Sequence, residues 1–316
     1  GALGLDTTVS ISYVGSVGLH MERERNLNQL PVGTTWRPEN AGVNAAALRP
    51  YQGFAAIVLA ENAARSEYNS LQLELNRRFA KGLGYGFSYT YSNSFDNASR
   101  RFGRVYDAYN DRSFWGPSDF DTRHNAAVSL IYSLPFFSDR SSRVGKLLGG
   151  WRVAGVTQFQ TGTPVTAGTG DDFAGVAGAG GVGPAVIYPW NASGNPGLPR
   201  GERKFSQGRD DSNFYFRTKN ADGSPVFSQP APGAFSATQT RNALVRQPGF
   251  QDWTLALFKD FAVRETQRVE FRAEFFNWVN HPNWGVVDFN PQNSTFGKVT
   301  SKTGARNVQL SLRYSF

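Results

Sequence analysis

The chain has 316 residues, no cysteine, and 33 Lys and Arg against 25 Asp and Glu, which gives a formal charge of +8. Every apolar run is interrupted well before the ~18 residues that a spanning helix needs, so an α-helical membrane protein is excluded. The lack of cysteine excludes a disulfide framework and a thiol nucleophile. Basic residues are scattered singly or in pairs, so we expect no nucleic-acid partner.

The content of 34 Gly, 16 Pro and 14% aromatic residues indicates an all-β chain with many turns. The chain opens without an initiator Met or an apolar signal segment and goes directly into a strand-like pattern. We therefore expect a processed chain or a fragment of a longer protein.

Alternation of apolar and polar residues predicts about nine strands. In residues 71–75 three leucines alternate with polar residues, and a turn at residues 81–84 leads into the tyrosine-rich strand at 85–91. The C-terminal strand places Tyr314 and Phe316 on the apolar face. The nine candidates in chain order are 7–13, 54–59, 71–75, 85–91, 126–134, 151–160, 253–257, 269–275 and 307–316.

The links between these strands alternate in length. Links at residues 81–84, 136–150 and 264–266 are short or moderate, and fall on one side of the predicted sheet; those at 98–122, 162–248 and 280–304 are long, and fall on the other. Short turns on one rim and long loops on the other are typical of a transmembrane β-barrel. Two predicted links break the rule, because residues 61–65 are short on the long side and residues 16–52 are long on the short side.

Charged residues within the strands favour a barrel with a polar interior over a packed core. We expect these residues to line the lumen and to pair across neighbouring strands. They are Glu74, Arg78, Arg268, Glu270, Arg272 and Glu274. A soluble, secreted β-sandwich that binds carbohydrate through aromatic loops is the alternative architecture.

Short stretches along nearly the whole chain follow one family pattern in order. They are 12–16 (SYVGS), 68–72 (YNSLQ), 77–79 (RRF), 82–83 (GL), 88–92 (SYTYS), 119–124 (DFDTRH), 134–136 (LPF), 150–152 (GWR), 161–164 (TGTP), 241–242 (RN), 248–250 (PGF), 258–260 (FKD), 272–277 (RAEFFN), 280–283 (NHPN) and 296–297 (FG). This series resembles the C-terminal part of the barrel of the TonB-dependent outer-membrane receptors, in particular the Oar-like subfamily.

The resemblance implies a 22-strand antiparallel barrel with long extracellular loops, mostly short periplasmic turns, a plug domain and a TonB box. Residues 1–316 would supply about 8–10 C-terminal strands, without the plug, so the TonB system would act only through a region outside this chain. In such barrels a C-terminal aromatic strand is recognised by the barrel-assembly machinery. Tyr314 and Phe316 fit that signal.

Aromatic residues of the long loops are the candidates for ligand contact, because binding residues concentrate on loops held by a rigid scaffold. They are Phe102, Tyr106, Tyr109, Phe114, Trp115, Tyr188 and Trp190.

The motifs that could serve catalysis or cofactor binding lack the flanking structure or the residue spacing that those functions need. Gly178, Gly180 and Gly183 satisfy G-x-G-x-x-G but lie in a Gly/Ala-rich loop without a flanking strand and helix. His124 and His281 do not have the spacing of metal ligands, and we expect them to make hydrogen bonds at the start of a strand and at the start of a loop. The pairs 171–172 and 210–211 could offer carboxylates to Ca²⁺, but their spacing is incomplete. We expect no enzyme activity, no cofactor and no resident metal.

The sequence therefore predicts an outer-membrane barrel segment that contacts lipid and takes part in nutrient uptake or surface binding. Two other functions remain open: the soluble carbohydrate-binding sandwich, and a passive porin or adhesin barrel without TonB coupling.

Overall fold

The computed structural model of the chain describes residues 6–100, 103–137, 142–178, 186–203, 214–264 and 266–316. Eight long strands dominate this part of the chain, and each pairs antiparallel with its neighbour in sequence. They are β1 (Thr7–Asn26), β2 (Val58–Ala80), β3 (Leu83–Asp96), β4 (His124–Ser133), β5 (Trp151–Gln160), β6 (Phe250–Ala262), β7 (Arg268–Phe276) and β8 (Asn307–Ser315). The resulting sheet is a simple meander with β1 and β8 at its edges.

The remaining elements are short and lie in the connections. The two α-helices are α1 (Ala45–Leu48) and α2 (Arg143–Leu148), and the 3-10 turns are Thr34–Trp36, Pro38–Asn40, Asp111–Phe114 and Arg200–Glu202. Two-residue strands occur at Gly116–Pro117, Pro164–Val165, Gly168–Thr169, Tyr188–Pro189, Asn191–Ala192, Phe227–Ser228, Val245–Arg246, Asn283–Trp284 and Lys302–Thr303. Among the described residues, no helix is long and apolar enough to cross a bilayer.

Long and short connections alternate without exception in this meander. Three connections lie on one side: the two residues 81–82, the 134–150 turn that carries α2, and the 263–267 turn. The other side carries the four long connections 27–57, 97–123, 161–249 and 277–306. This asymmetry matches the periplasmic turns and extracellular loops of an outer-membrane barrel.

Neither of the two links that broke the rule in the sequence prediction remains an exception, because the first disappears and the predicted 16–52 link becomes the 27–57 connection on the long-loop side. Residues 61–65 lie inside β2, which pairs with β1 from Thr7 opposite Arg77 to Asn26 opposite Val58. Residues 58–59 of the predicted strand 54–59 and the whole predicted strand 71–75 therefore belong to one strand, residues 54–57 lie in the preceding connection, and the count of about nine becomes eight. Since ~9–11 residues suffice to span a membrane, β1 and β2 extend well past the bilayer on the long-loop side.

The two faces of the sheet differ sharply in polarity. Paired residues share a face, so Leu312 opposite Phe271 continues the apolar face, while Ser311 opposite Arg272 continues the polar face. Apolar side chains remain uncovered even in the middle of the sheet, where Val128 is 39% exposed and Leu130 is 41% exposed. A sandwich would bury this face under a second sheet, so the soluble sandwich alternative is wrong.

The buried hydrophobic cores lie in the long connections. One cluster joins loops 97–123 and 161–249 around Val105, Tyr106 and Val176. The second is built around Phe216 and Val287, from loops 161–249 and 277–306. We call the four long connections together the loop layer.

Candidate functional site

The predicted lumen charges lie on the polar face of the sheet. In β7 Arg268, Glu270, Arg272 and Glu274 alternate with apolar residues and pair with the polar residues of β8. Glu74 of β2 lies opposite Ser88 of β3 on the same polar face.

The ion pairs on this face run both along and across strands. Arg272 Nε lies 3.4 Å from Glu274 Oε1 in the same strand, and Arg152 Nη2 lies 3.2 Å from Asp260 Oδ2 on the neighbouring strand. Both arginines stack on Phe258, with guanidinium carbons 4.8 and 5.8 Å from the ring centre. The polar wall thus presents alternating charge around one aromatic ring.

Two of the predicted lumen residues, Glu74 and Arg78, are not part of these ion pairs. Glu74 Oε1 accepts a hydrogen bond from the Asn76 amide at 2.5 Å. Arg78 lies where the β2–β3 register shifts, between Arg77 and Ala80, and its backbone N–H donates to the Asp6 carbonyl at 3.2 Å. Alternation alone does not assign the Arg78 side chain to a face, because the bulge interrupts the period.

Three of the aromatic residues predicted to bind ligand form the core of the loop layer. Tyr106, Phe114 and Tyr188 are 3%, 8% and 5% exposed. Tyr106 packs edge-on to Phe114 at 5.1 Å, and its hydroxyl donates to the Ser113 carbonyl at 2.9 Å. Burial raises the pKa of Tyr106. These residues hold the loops together, and contact with a ligand, which the sequence predicted for them, stays a prediction.

The other predicted aromatic residues are divided between surface and packing positions. Tyr109 is 59% exposed, and its hydroxyl donates to the Gln29 carbonyl at 2.6 Å. Trp115 stacks with Phe95 at 6.4 Å. Trp190 packs against the cluster around Phe216. Phe102 lies outside the described residues.

Arg241 forms a buried ion-pair centre that the sequence analysis did not assign. Its guanidinium donates to Asp119 Oδ1 and Ser99 Oγ, both at 2.9 Å, and to the carboxylate and carbonyl of Asp96. Asp96, at the end of β3, is 1% exposed, and Arg241 is 6% exposed. Asn242 adds an amide hydrogen bond to Asp119 at 2.7 Å. This Arg241 centre ties loops 97–123 and 161–249 to the rim of the sheet.

A second buried carboxylate repeats the arrangement nearby. Asp121 is 1% exposed and pairs with Arg246, while its Oδ1 accepts the Ser94 backbone N–H at 2.7 Å. Arg123 Nη2 lies 3.5 Å from the same carboxylate. The stretches 119–124 and 241–242 both stood out as motifs in the sequence, and that was the signal that could have pointed to these pairs.

Single polar side chains fix the other two loops. Asn28, fully buried, donates its amide to the carbonyls of Tyr51, Phe54 and Ala55 at 3.0, 3.1 and 2.7 Å. This one side chain closes the 27–57 loop.

In the 277–306 loop, Asp288 accepts hydrogen bonds from the Asn290 backbone, the Asn293 amide and the Thr295 hydroxyl. Partial burial acts to raise the pKa of Asp288, but these hydrogen bonds outweigh it and hold the pKa below its usual value of 3.8.

A cavity of about 490 Å³ opens between loops 97–123 and 161–249, beside the Arg241 centre. The volume lies within the range of small-molecule sites, roughly 300–1,000 Å³. Its wall combines basic, polar and apolar side chains. They include Arg100, Arg104, Thr163, Ile187, Gln247 and Phe289. Arg104 is paired with Glu24 at 2.6 Å, and Arg100, whose side chain is 71% exposed, has its Nε 3.5 Å from Asp119 Oδ2.

The histidines make the local hydrogen bonds that were predicted. His124 Nδ1 lies 2.7 Å from the Tyr89 hydroxyl, and His281 Nε2 lies 2.7 Å from the Gln251 amide. Asp172 accepts the backbone N–H groups of Val176 and Gly178, so it serves a loop turn. Gly180, Gly183 and the 210–211 pair lie outside the described residues.

Comparison with known protein families assigns the chain to a family. The family model described as outer membrane beta barrel domain matches residues 2–309. The chain belongs to the outer membrane beta barrel domain family. Its location is therefore the outer membrane, and the apolar face of the sheet is the lipid-facing face. Comparison with curated proteins gave no sequence match.

Among solved structures, the barrel domain is similar to the outer membrane transporter YddB from Escherichia coli. The identity is 9% and the TM-score 0.45, and the match covers 99% of this chain and 31% of the transporter. This chain thus spans about a third of the length of that protein.

The C-terminal strand shows the alternation that the sequence predicted. Val308, Leu310, Leu312 and Tyr314 face lipid and are between 53% and 73% exposed. Phe316 follows the strand at 91% exposure, and its ring centre lies 6.0 Å from that of Tyr314.

Proposed function

We propose that this barrel domain is the C-terminal portion of a TonB-dependent receptor of the Oar-like type, which takes up or binds a nutrient ligand at the cell surface and is not an enzyme. The observation that carries the proposal is the alternation of connections. Minimal turns face one side, while four long loops on the other side pack into a layer with its own hydrophobic cores. Such a folded layer offers a ligand a fixed outer surface on which to bind.

The ligand site of this proposal is the 490 Å³ cavity between loops 97–123 and 161–249. The aromatic residue Phe114 lines this cavity, while Tyr106 and Tyr188 are buried behind it in the loop core. Arg100 pairs with Asp119 through its Nε at 3.5 Å but keeps a side chain that is 71% exposed, so its remaining donors can bind a ligand with acidic or carbonyl oxygens.

In this proposal the C-terminal pair Tyr314 and Phe316 presents the strand to the barrel-assembly machinery. β8 is an edge strand of the described sheet, so its outer backbone groups are available for strand addition.

Conductance separates the receptor from the passive porin or adhesin. The full-length protein is purified and inserted in planar bilayers in KCl, and its binding to the periplasmic domain of TonB is measured in parallel. A receptor with a plug gives no steady current and binds TonB. A steady ohmic current together with no TonB binding would show a passive barrel.

A further inference from the structure

Lys259 of β6 occupies a position where a charged side chain is costly. It lies opposite Trp151 in β5 and Phe271 in β7, which places it on the lipid-facing face. An ammonium group exposed to hydrocarbon is strongly unfavourable. Lys259 is nevertheless 1% exposed, so protein atoms cover it.

The cover comes from the turn that carries α2. The Lys259 ammonium donates a hydrogen bond to the carbonyl of Gly149, the C-cap residue that follows α2. It also lies 5.5 Å from the ring centre of Trp151 and 4.9 Å from that of Phe261. The carbonyl end of a helix favours a cation. Helix α2 is therefore docked on the lipid-facing side of the sheet, at its periplasmic end.

The docked turn has a tightly fixed backbone. Gly149 approaches the Phe137 carbonyl so closely that an added Cβ would lie 2.1 Å from that oxygen. The Gly149 N–H donates to Gly145 at 2.9 Å, and the Leu134 N–H donates to the Trp151 carbonyl at 2.9 Å. These contacts fix the orientation of the turn relative to β5 and β6.

The outer surface of this turn is apolar and uncovered. The side chains that form it are between 48% and 63% exposed. They are Phe136, Phe137, Val144, Leu147 and Leu148, which we call the turn anchor. β4 and β5 lie inside the sheet, between β3 and β6, so further strands added at the β1 or β8 edge would not reach it. Arg143 and Lys146 are exposed on the same helix.

We propose that the turn anchor inserts into the periplasmic leaflet of the outer membrane, with Arg143 and Lys146 at the phosphates of anionic phospholipids. Two observations support this occupant. The anchor continues the lipid-facing surface of the barrel through Lys259 and Trp151, and its basic residues complement anionic headgroups. The anchor thus gives the barrel a leaflet-specific contact beyond its strands, independent of any ligand in the loop layer.

The absence of cysteine in these 316 residues makes site-specific labelling direct. Leu147→Cys carries a nitroxide in the full-length protein, reconstituted in vesicles of phosphatidylethanolamine and phosphatidylglycerol. Labels at Val128 on the lipid-facing face and at Asp222 in the loop layer are the controls. We expect the label at residue 147 to collide with oxygen more often than with a water-soluble nickel complex, as at residue 128. Accessibility equal to that at residue 222 would overturn the proposal.

Two variants test the individual contacts while the label at residue 128 monitors correct folding. Charge reversal of Arg143 and Lys146 to Glu should raise nickel-complex collisions at residue 147 several-fold in phosphatidylglycerol vesicles, but not in vesicles of phosphatidylcholine alone. Equal effects in both lipids would refute the headgroup contact. Lys259→Met should increase label mobility at residue 147, and unchanged mobility would refute the docking through Gly149.

Discussion

Replacing Arg241 by Met should open the loop layer while the strands stay folded. The substitution keeps the aliphatic stem but removes the charge and the donors that serve Asp96, Asp119 and Ser99. The Asp96 carboxylate would then remain buried, at 1% side-chain exposure, without its cation. Removing one partner of a buried ion pair costs about 3–5 kcal/mol.

The Ser99 hydroxyl still donates to Asp96 at 2.9 Å, so the lower end of that range applies. A loss of about 3 kcal/mol in the local opening free energy corresponds to roughly a hundredfold faster hydrogen exchange, since 1.4 kcal/mol is a factor of ten. Hydrogen-exchange mass spectrometry on peptides from residues 97–123 in detergent micelles measures this directly.

Arg217→Met is the matched control. Arg217 pairs with Glu202 in the same long loop, but the side chains of the pair are 43% and 54% exposed. An exposed pair contributes at most about 1 kcal/mol, or roughly fivefold in exchange. Asp96→Asn combined with Arg241→Met should recover part of the protection, because the buried charge is gone. Equal effects of the two arginine substitutions would refute the assignment of Arg241 as the centre of the loop layer.

Three other features of the loop layer lead to separate predictions. The pKa of Asp288 is lower in the folded than in the unfolded protein, so the stability that its carboxylate provides is complete above the unfolded pKa and is lost as the pH falls through the folded pKa. Hydrogen-exchange protection of residues 288–297 should therefore decrease below about pH 4 in the native protein. In Asp288→Asn the protection should not change with pH in this range. Gly162→Ala should impair folding, because its Cβ would lie 1.7 Å from a backbone carbonyl, whereas Gly170→Ala, with open space around it, should fold normally in a heat-modifiability gel. Asn28→Ala should make the 27–57 loop sensitive to protease; unchanged cleavage rates would contradict its closing role.

The sequence predicted the strands best where one face meets lipid. In β8 the alternation of Val308, Leu310 and Leu312 is complete, because each apolar residue must face hydrocarbon and each polar one the lumen. The upper part of β2 lacks that constraint. Glu61 pairs there with Arg23 and Arg25 of β1 at 2.9 and 2.8 Å, beyond the membrane. Neither face meets hydrocarbon there, so the period disappears and the sequence of this part of the strand resembles that of a loop.

The loop layer could not be derived in the same way. Tyr106 and Tyr109 are close in sequence and alike in chemistry, yet one is 3% exposed and the other 59%. No local period separates them, because the environment of each is set by residues far along the chain. The same holds for Arg241, because its partner Asp96 lies far away in sequence, at the end of β3. Only the family pattern at residues 241–242 indicated that Arg241 is important.

The central claim is that the long connections face the outside and the short turns face the periplasm. The direct measurement is labelling of single cysteines in intact cells, with a maleimide that does not cross the outer membrane. Asp222→Cys in the loop layer should react at once, while Arg264→Cys in the 263–267 turn should react only after the membrane is permeabilised. Reaction of residue 264 in intact cells, with residue 222 protected, would contradict the account.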